Sequence, residues 1–346
     1  MRIGIVHGRS AVRRALSRMI SRIDGHEVIW TARDAEEAAR AAKDDPPDLL
    51  LLETQPRGLD PATRRLSARS PRGAVALVSS IPGSLLPDAF RDGIRDLLPE
   101  PRSDGGSIRP AELSRLARVL RLAETPATPN AMRRPDAAPL VAIGASTGGP
   151  PAVARVLAAL PAGFAPAVLV AQHLDTAFSE GLISWLATRS AGPVRRIRPG
   201  ERPAGGTIHV AAADAHLFLT PDGVFSDLPA DPENACIPSV DLLFRSLAAA
   251  PPGVAVLLTG MGRDGADGLL ALRRAGWHTI AQDAGTSAVY GMPRAARDLD
   301  AAAEILALGA IAPAIVAATA RIRRRRNDDS PRTENANRRD RRTHGP

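Results

Sequence analysis

Two α/β domains in series are the fold class this sequence predicts, and three observations predict it. Short apolar runs alternate with amphipathic segments from residue 1 to about 122. The alternation resumes at 139, and between the two lies a stretch with three prolines and no apolar period. A chain of 346 residues is also long for one core, so two domains with a linker are the natural partition.

The strand-like runs of the first domain are 2–6, 27–31, 48–53, 74–79 and 95–98, with helices near 10–22, 34–43, 61–69, 84–92 and 111–122. Five successive βα units predict a parallel, doubly wound sheet. In the first helix Val12, Leu16, Met19 and Ile20 share a face, and Asp34 with Glu37 predicts an N-cap and its capping partner. Residues 123–138 read as an extended linker. A second α/β domain spans 139–320, its sheet mainly parallel, with an antiparallel section in 206–227 that turns at Pro221-Asp-Gly223. Residues 321–346 hold ten Arg against Asp328, Asp329, Glu334 and Asp340 and almost no large apolar side chain, which predicts a disordered basic tail.

That tail supplies most of the formal net charge of +8, so the charge reads as a solubilising extension or a weak polyanion contact. A DNA-binding regulator would need a helix-turn-helix or basic zipper, and neither pattern is present. A single cysteine, Cys236, rules out a disulfide framework and a Cys-rich metal site, and fits a reducing cytoplasm. The first residues are strand-like rather than a charged-then-apolar leader, and the apolar stretch Ile305 to Ala320 is short and interrupted by Gly309 and Pro313. A cytoplasmic location with no membrane insertion is therefore expected.

Three motifs fall at the carboxyl ends of apolar runs, where open α/β sheets build their sites. They are Gly144-Ala-Ser-Thr-Gly-Gly149, Val168-Leu-Val-Ala-Gln-His173 and Val256-Leu-Leu-Thr-Gly-Met-Gly-Arg-Asp-Gly265. Ser146 stands among glycines at a sharp strand-to-helix turn, which suits an anionic ligand or a nucleophilic serine. His173 could equally be structural, and Asp264 could cap the helix after it. Serine attack on an acyl carbon needs a base, a carboxylate to orient it and amides for the oxyanion, and the three motifs together offer all of these. The chain order Ser, His, Asp differs from the Ser, Asp, His order of lipase-type hydrolases. His216, in an alternating strand pattern, reads as a wall or packing residue, and Asp283 is a spare orienting carboxylate.

With these motifs the sequence resembles the chemotaxis protein-glutamate methylesterase (CheB) family over about 139–320. The likeness continues through Pro238-Ser-Val-Asp241 with Phe244, Gly268, Thr286-Ser287 and Gly291-Met-Pro293. It implies Ser146 as nucleophile, His173 as base, Asp264 as its orienting carboxylate, the Met261 amide as an oxyanion donor and Thr147 beside the nucleophile. It implies hydrolysis of glutamyl methyl esters on chemoreceptor cytoplasmic helices, with glutamine deamidation at the same site, no cofactor and no metal. Methyl-accepting chemoreceptors and chemosensory kinase or adaptor proteins are the implied partners, and a monomer is expected. Leu174-Asp175 stands where the family has Met-Pro, and Cys236-Ile237 where it has His-Arg, which removes a basic attraction for an acidic helix surface.

Residues 1–122 resemble a response-regulator receiver through Pro47-Asp-Leu-Leu-Leu-Leu52, Val78-Ser-Ser80 and Leu98-Pro-Glu-Pro101. The chemistry departs from the pattern. His7 and Gly8 stand where the metal-holding acidic pair belongs, Glu53 at the phospho-acceptor and Glu100 at the lysine. Phosphoryl transfer needs its charge neutralised by metal and cation, so Glu53 is not expected to be phosphorylated, and nothing obvious answers its charge. These departures predict a pseudo-receiver used for docking or constitutive positioning, with a vestigial scaffold as the plainer reading. A non-catalytic chemosensory scaffold is the alternative reading.

Overall fold

The first domain is an alternation of strands β1 (Arg2–Val6), β2 (Glu27–Ala32), β3 (Leu49–Glu53), β4 (Ala74–Val78) and β5 (Ile94–Pro99) with helices α1 (Ser10–Ile20), α2 (Ala35–Asp44), α3 (Pro61–Arg69), α4 (Leu86–Arg91) and α5 (Pro110–Glu124). In this computed structural model the described residues are 1–54, 59–79, 86–101, 109–125, 138–211, 215–230 and 236–328. All four pairings are parallel and the strand order is β2-β1-β3-β4-β5, the doubly wound order expected from five βα units. Leu49 to Leu52 are fully buried because helices cover both faces of a parallel sheet. Asp34 caps α2 by accepting the Glu37 amide at 2.8 Å, as its spacing predicts.

The second domain begins with β6 (Val141–Ala145), α6 (Gly149–Ala158) and β7 (Val168–Gln172), followed by a short 3-10 turn (Thr176–Phe178), α7 (Ser179–Ala187), β8 (Val194–Arg196) and β9 (Ile208–Ala211). A hairpin of β10 (Ala215–Leu219) and β11 (Phe225–Pro229) comes next. The chain then runs through α8 (Val240–Leu247), β12 (Val254–Leu257), α9 (Ala266–Arg274), β13 (His278–Gln282), α10 (Met292–Asp298), β14 (Glu304–Leu306) and α11 (Leu308–Asp328). Seven parallel strands form one sheet in the order β14-β13-β12-β6-β7-β9-β8. One apolar layer joins α6, α7 and α11 to the sheet, and the other joins α8, α9 and α10. The strand order reverses at β6, so the crevice at its carboxyl end is the place where such sheets take a ligand.

Two expectations change. The antiparallel section turns at Pro221-Asp-Gly223 as expected, with the Gly223 amide donating to the Thr220 carbonyl at 2.8 Å, but it is a separate two-stranded ribbon outside the parallel sheet. The basic segment from 321 does not leave the fold at once. It continues α11 to Asp328, because Arg is a good helix former and the preceding turns are anchored through Ile311, Ile315 and Ala318. Most of the 123–138 linker and the tail beyond Asp328 lie outside the described residues.

The hairpin and α8 meet α4, β5 and α5 of the first domain. Phe218 stacks on Phe90 at 6.4 Å, and Phe218, Leu228 and Leu242 belong to the same apolar cluster as Leu97 and Ile94. Around this contact Arg95 Nε and Nη2 hold Asp222 at 2.8 and 2.7 Å, Arg115 holds Asp227 at 2.6 Å, and Arg118 also pairs with Asp227. Burial pushes the Asp96 carboxyl here up to about 7, the Asp227 charge adding to the effect and Ser226, the Leu97 amide and Arg118 opposing it. The native state therefore keeps a proton that the unfolded chain loses near its ordinary value. The sign follows: stability falls as pH rises from about 4 toward 7. Asp96→Asn cannot ionise and still accepts from Leu97. It is expected to raise the melting temperature over wild type at pH 8 and to change it much less at pH 4, as differential scanning fluorimetry can check.

Candidate active site

Register brings the three motifs together. Ala145 pairs with Gln172 and Gly144 with Leu257, so the chain leaves β6, β7 and β12 at one level. The His173 amide donates to the Ala145 carbonyl at 3.1 Å and the Ser146 amide to the Thr259 carbonyl at 3.0 Å. The serine turn closes when the Gly149 amide donates to the Ser146 carbonyl at 2.7 Å. Gly148 takes φ +75°, and a Cβ there would lie 2.5 Å from the Ala288 methyl, so both conformation and space call for glycine. A Cβ on Gly260 would come within 2.7 Å of Ser146 Cβ, which shows how closely the Met261 loop passes over the serine. The amides of Thr147, Gly148 and Met261 make no hydrogen bond among the described residues, and the first two open the N-terminus of α6. They are the donors a negative oxygen at this turn would meet.

His173 Nε2 lies 2.7 Å from Asp264 Oδ2, both side chains largely buried. With Nε2 on Asp264, Nδ1 is the remaining ring nitrogen. Among the described residues no hydrogen bond joins Ser146 Oγ to the imidazole. Asp264 is held from several sides. Its Oδ2 also accepts the Val240 amide at 2.7 Å, while Oδ1 accepts the Asp241 and Gly265 amides at 3.0 Å and Ser239 Oγ at 3.2 Å. The capping role weighed for Asp264 on the helix after it is not what the structure shows: α9 is capped by Gly265 without a side-chain bond, and the N-terminus that Asp264 faces is that of α8. Burial alone would raise the pKa of Asp264. The hydrogen bond and charge of His173, with the Asp241 and Val240 amides, outweigh it and hold the carboxyl below its ordinary value. Its contribution to stability is present above the unfolded value near 3.8 and is lost as pH falls through the lower native value. Asp241 is the converse, its carboxyl raised to about 6 by burial and by the Asp264 charge.

The other expected residues fall as follows. Asp283 does not reach the imidazole. Its Oδ1 accepts the Thr286 amide at 2.9 Å and the Thr286 hydroxyl at 2.6 Å, so it closes a turn. His216 is fully buried on β10, its Nδ1 accepting the Ser239 amide at 3.0 Å. Met261 is 66% exposed at the rim, as is Phe178 at 65% on the turn after His173. Cys236 lies near enough for the Asp264 charge to add to burial in raising its thiol pKa.

Sequence reasoning missed the braces. Gln172 Nε2 donates to the carbonyls of both Ser146 and His173 at 2.9 Å, tying the serine turn to the histidine. Thr259 Oγ1 donates to the Thr147 carbonyl at 3.0 Å, and the Thr259 amide donates to Gln282 Oε1 at 2.8 Å. Gln172 and Ser239 sit inside quoted motifs, yet their partners are 26 and 25 residues away and only the fold joins them.

At the carboxyl edge of the first sheet, His7, Glu53 and Glu100 converge, with one ligand atom from each within 4.8 Å of the others. Glu100 has a cation partner within the protein, whereas Glu53 has a backbone donor and no arginine or lysine among the described residues. The Gly8 amide donates to Glu53 Oε2 at 2.7 Å, His7 Nδ1 lies 3.6 Å from the same oxygen, and Arg9 pairs with Glu100. His7 Nδ1 accepts the Arg9 amide at 3.0 Å, which places the ring proton on Nε2, 3.4 Å from Glu100.

A doubly wound domain is thus joined to a parallel α/β domain in which Ser146, His173 and Asp264 stand at the carboxyl edge of the sheet, beside its topological switch point. The profile described as CheB methylesterase matches residues 141–315. "Protein-glutamate methylesterase/protein-glutamine glutaminase 2" of Burkholderia orbicola (strain AU 1054) is 42% identical over 93% of this chain and 100% of its own. A relative of the same description from Mesorhizobium japonicum is 38% identical over 93% of this chain and 99% of its own. The crystal structure of the Thermotoga maritima CheB methylesterase catalytic domain aligns at TM-score 0.50 and 31% identity, over 52% of this chain and 98% of that one. The chain belongs to the CheB methylesterase family. Among the described residues no helix is long and apolar enough to cross a membrane.

Proposed function

We propose that this chain hydrolyses γ-glutamyl methyl esters on the cytoplasmic helices of methyl-accepting chemoreceptors, acting in the cytoplasm as a monomer. The observation that carries the reading is the 2.7 Å pair of His173 and Asp264 at the edge where Ser146 turns into α6. The names of the relatives support it, since they pair glutamate methylesterase with glutamine glutaminase.

Ser146 Oγ attacks the γ-carbonyl carbon while His173 Nδ1 takes its proton, and Asp264 stabilises the imidazolium so formed. The carbonyl oxygen becomes an oxyanion facing the amides of Thr147 and Met261, each such donor being worth roughly 100- to 1,000-fold in rate. His173 returns the proton to methoxide, and methanol leaves an acyl-enzyme on Ser146. Water, deprotonated by the same nitrogen, then releases glutamate and restores the serine. With a glutamine substrate the leaving group is ammonia and the rest is unchanged.

The first domain acts here as a docking module that phosphoryl transfer does not switch. Glu53 accepts the Gly8 amide and Glu100 pairs with Arg9 where a phosphoryl group would need metal and lysine. Methanol release from a methylated receptor cytoplasmic fragment tests both parts. Serine-dependent release is expected from the full chain, at a rate unchanged by acetyl phosphate with Mg²⁺. Activation of several-fold would refute the pseudo-receiver, and no release from either the full chain or residues 139–346 would refute the esterase.

A further inference from the structure

We propose that His216 is a positioning residue for the reaction: its Nδ1 holds the Ser239 amide and so sets the turn that fixes the Asp264 carboxylate. The inference rests on the reading of Ser146, His173 and Asp264 given above, and it adds a residue that the relatives' names do not touch.

Three of the groups bound to Asp264 come from one turn, the Ser239 hydroxyl and the amides of Val240 and Asp241. Where that turn sits decides where the carboxylate sits, and through it the tilt of His173. The turn itself is the N-terminus of α8, with Ser239 as cap accepting the Leu242 amide at 3.2 Å. Ser239's own amide points away from the helix, and His216 Nδ1 receives it at 3.0 Å. His216 is thus a tether between β10 and the catalytic carboxylate.

The chemistry of the ring argues against mere filling. His216 is 0% exposed, and its Nε2 is buried with no hydrogen-bond partner. Because Nδ1 accepts an N–H, the ring proton sits on Nε2, a buried donor left unsatisfied. Such a group carries a desolvation cost that an apolar side chain would not incur. What the imidazole supplies in return is an acceptor at the Ser239 amide. Protonation would replace that acceptor with a donor. Burial disfavours it and lowers the His216 pKa, with Asp264 opposing and His173 assisting.

The full chain is assayed for methanol release from a methylated receptor cytoplasmic fragment as wild type, His216→Ala, His216→Leu and His216→Asn. Ala and Leu lack the acceptor, Leu keeps most of the volume, and Asn presents Oδ1 near the position of Nδ1. Ala and Leu are expected to lower kcat about 10- to 100-fold with little change in KM. Asn is expected to restore most of kcat. If Ala does not fold, Leu against Asn carries the comparison. Wild-type kcat in Leu, or equal loss in Leu and Asn, overturns the proposal. The rate of Ser146 modification by a fluorophosphonate makes the same comparison without a glutamyl ester. A labelled wild type that releases no methanol therefore defeats the substrate reading alone, and the positioning role stands or falls on the labelling rates. A wild type that does neither defeats both.

Discussion

Ser146→Ala is expected to reduce methanol release by about 10⁴-fold or more while leaving the fold intact. The side chain stands at a turn whose hydrogen bonds run through backbone. The Ser146 amide goes to Thr259, and its carbonyl accepts from Gly149 and Gln172. None of these needs the hydroxyl, so the circular dichroism spectrum should be unchanged and the unfolding free energy within about 1 kcal/mol of wild type. What disappears is the atom that attacks the ester. The remaining amides and binding contacts account for whatever rate above water persists. A variant that kept a tenth of wild-type activity would show that another group carries the acyl transfer.

Asp264→Asn is expected to cost about 10³- to 10⁴-fold in kcat, and unlike the serine change it should also cost stability. The carboxylate accepts a hydrogen bond from His173 and caps α8 through the Val240 and Asp241 amides. An amide in its place puts NH₂ against an N–H donor on at least one side. The imidazole then loses the partner that stabilises its charged form, and α8 loses a negative charge at its positive end, worth about 0.3–1 kcal/mol or more when partly buried. Acid unfolding should also change, because the stability that Asp264 contributes above its ordinary pKa is absent from the variant. Steady-state rates and urea unfolding at pH 7 and pH 4 check the two halves separately.

The elements were legible because each buried strand is a short apolar run bounded by helical periodicity, as Leu49 to Leu52 and Val168 to Gln172 show. The position of Ser146 was legible too, since glycines at 144, 148 and 149 mark a strand-to-helix turn. The orientation of His173 was not. Which ring nitrogen faces Asp264 depends on where α8 places its N-terminus, and α8 is reached only after the hairpin that docks on the first domain. The pairing of Glu53 with the Gly8 amide, and of Glu100 with Arg9, was hidden for the same reason: partners 45 and 91 residues apart carry no local signal. Composition misled at the carboxyl end, where arginines that read as a disordered tail extend a helix already anchored on the sheet.

Treatment of the full chain with a fluorophosphonate, followed by peptide mass spectrometry, tests most directly whether Ser146 is the nucleophile activated by His173. The account predicts a single adduct on the peptide containing Ser146, absent from Ser146→Ala and strongly slowed in His173→Gln. An adduct on a different residue, or unimpeded methanol release from protein whose Ser146 is fully modified, would contradict it.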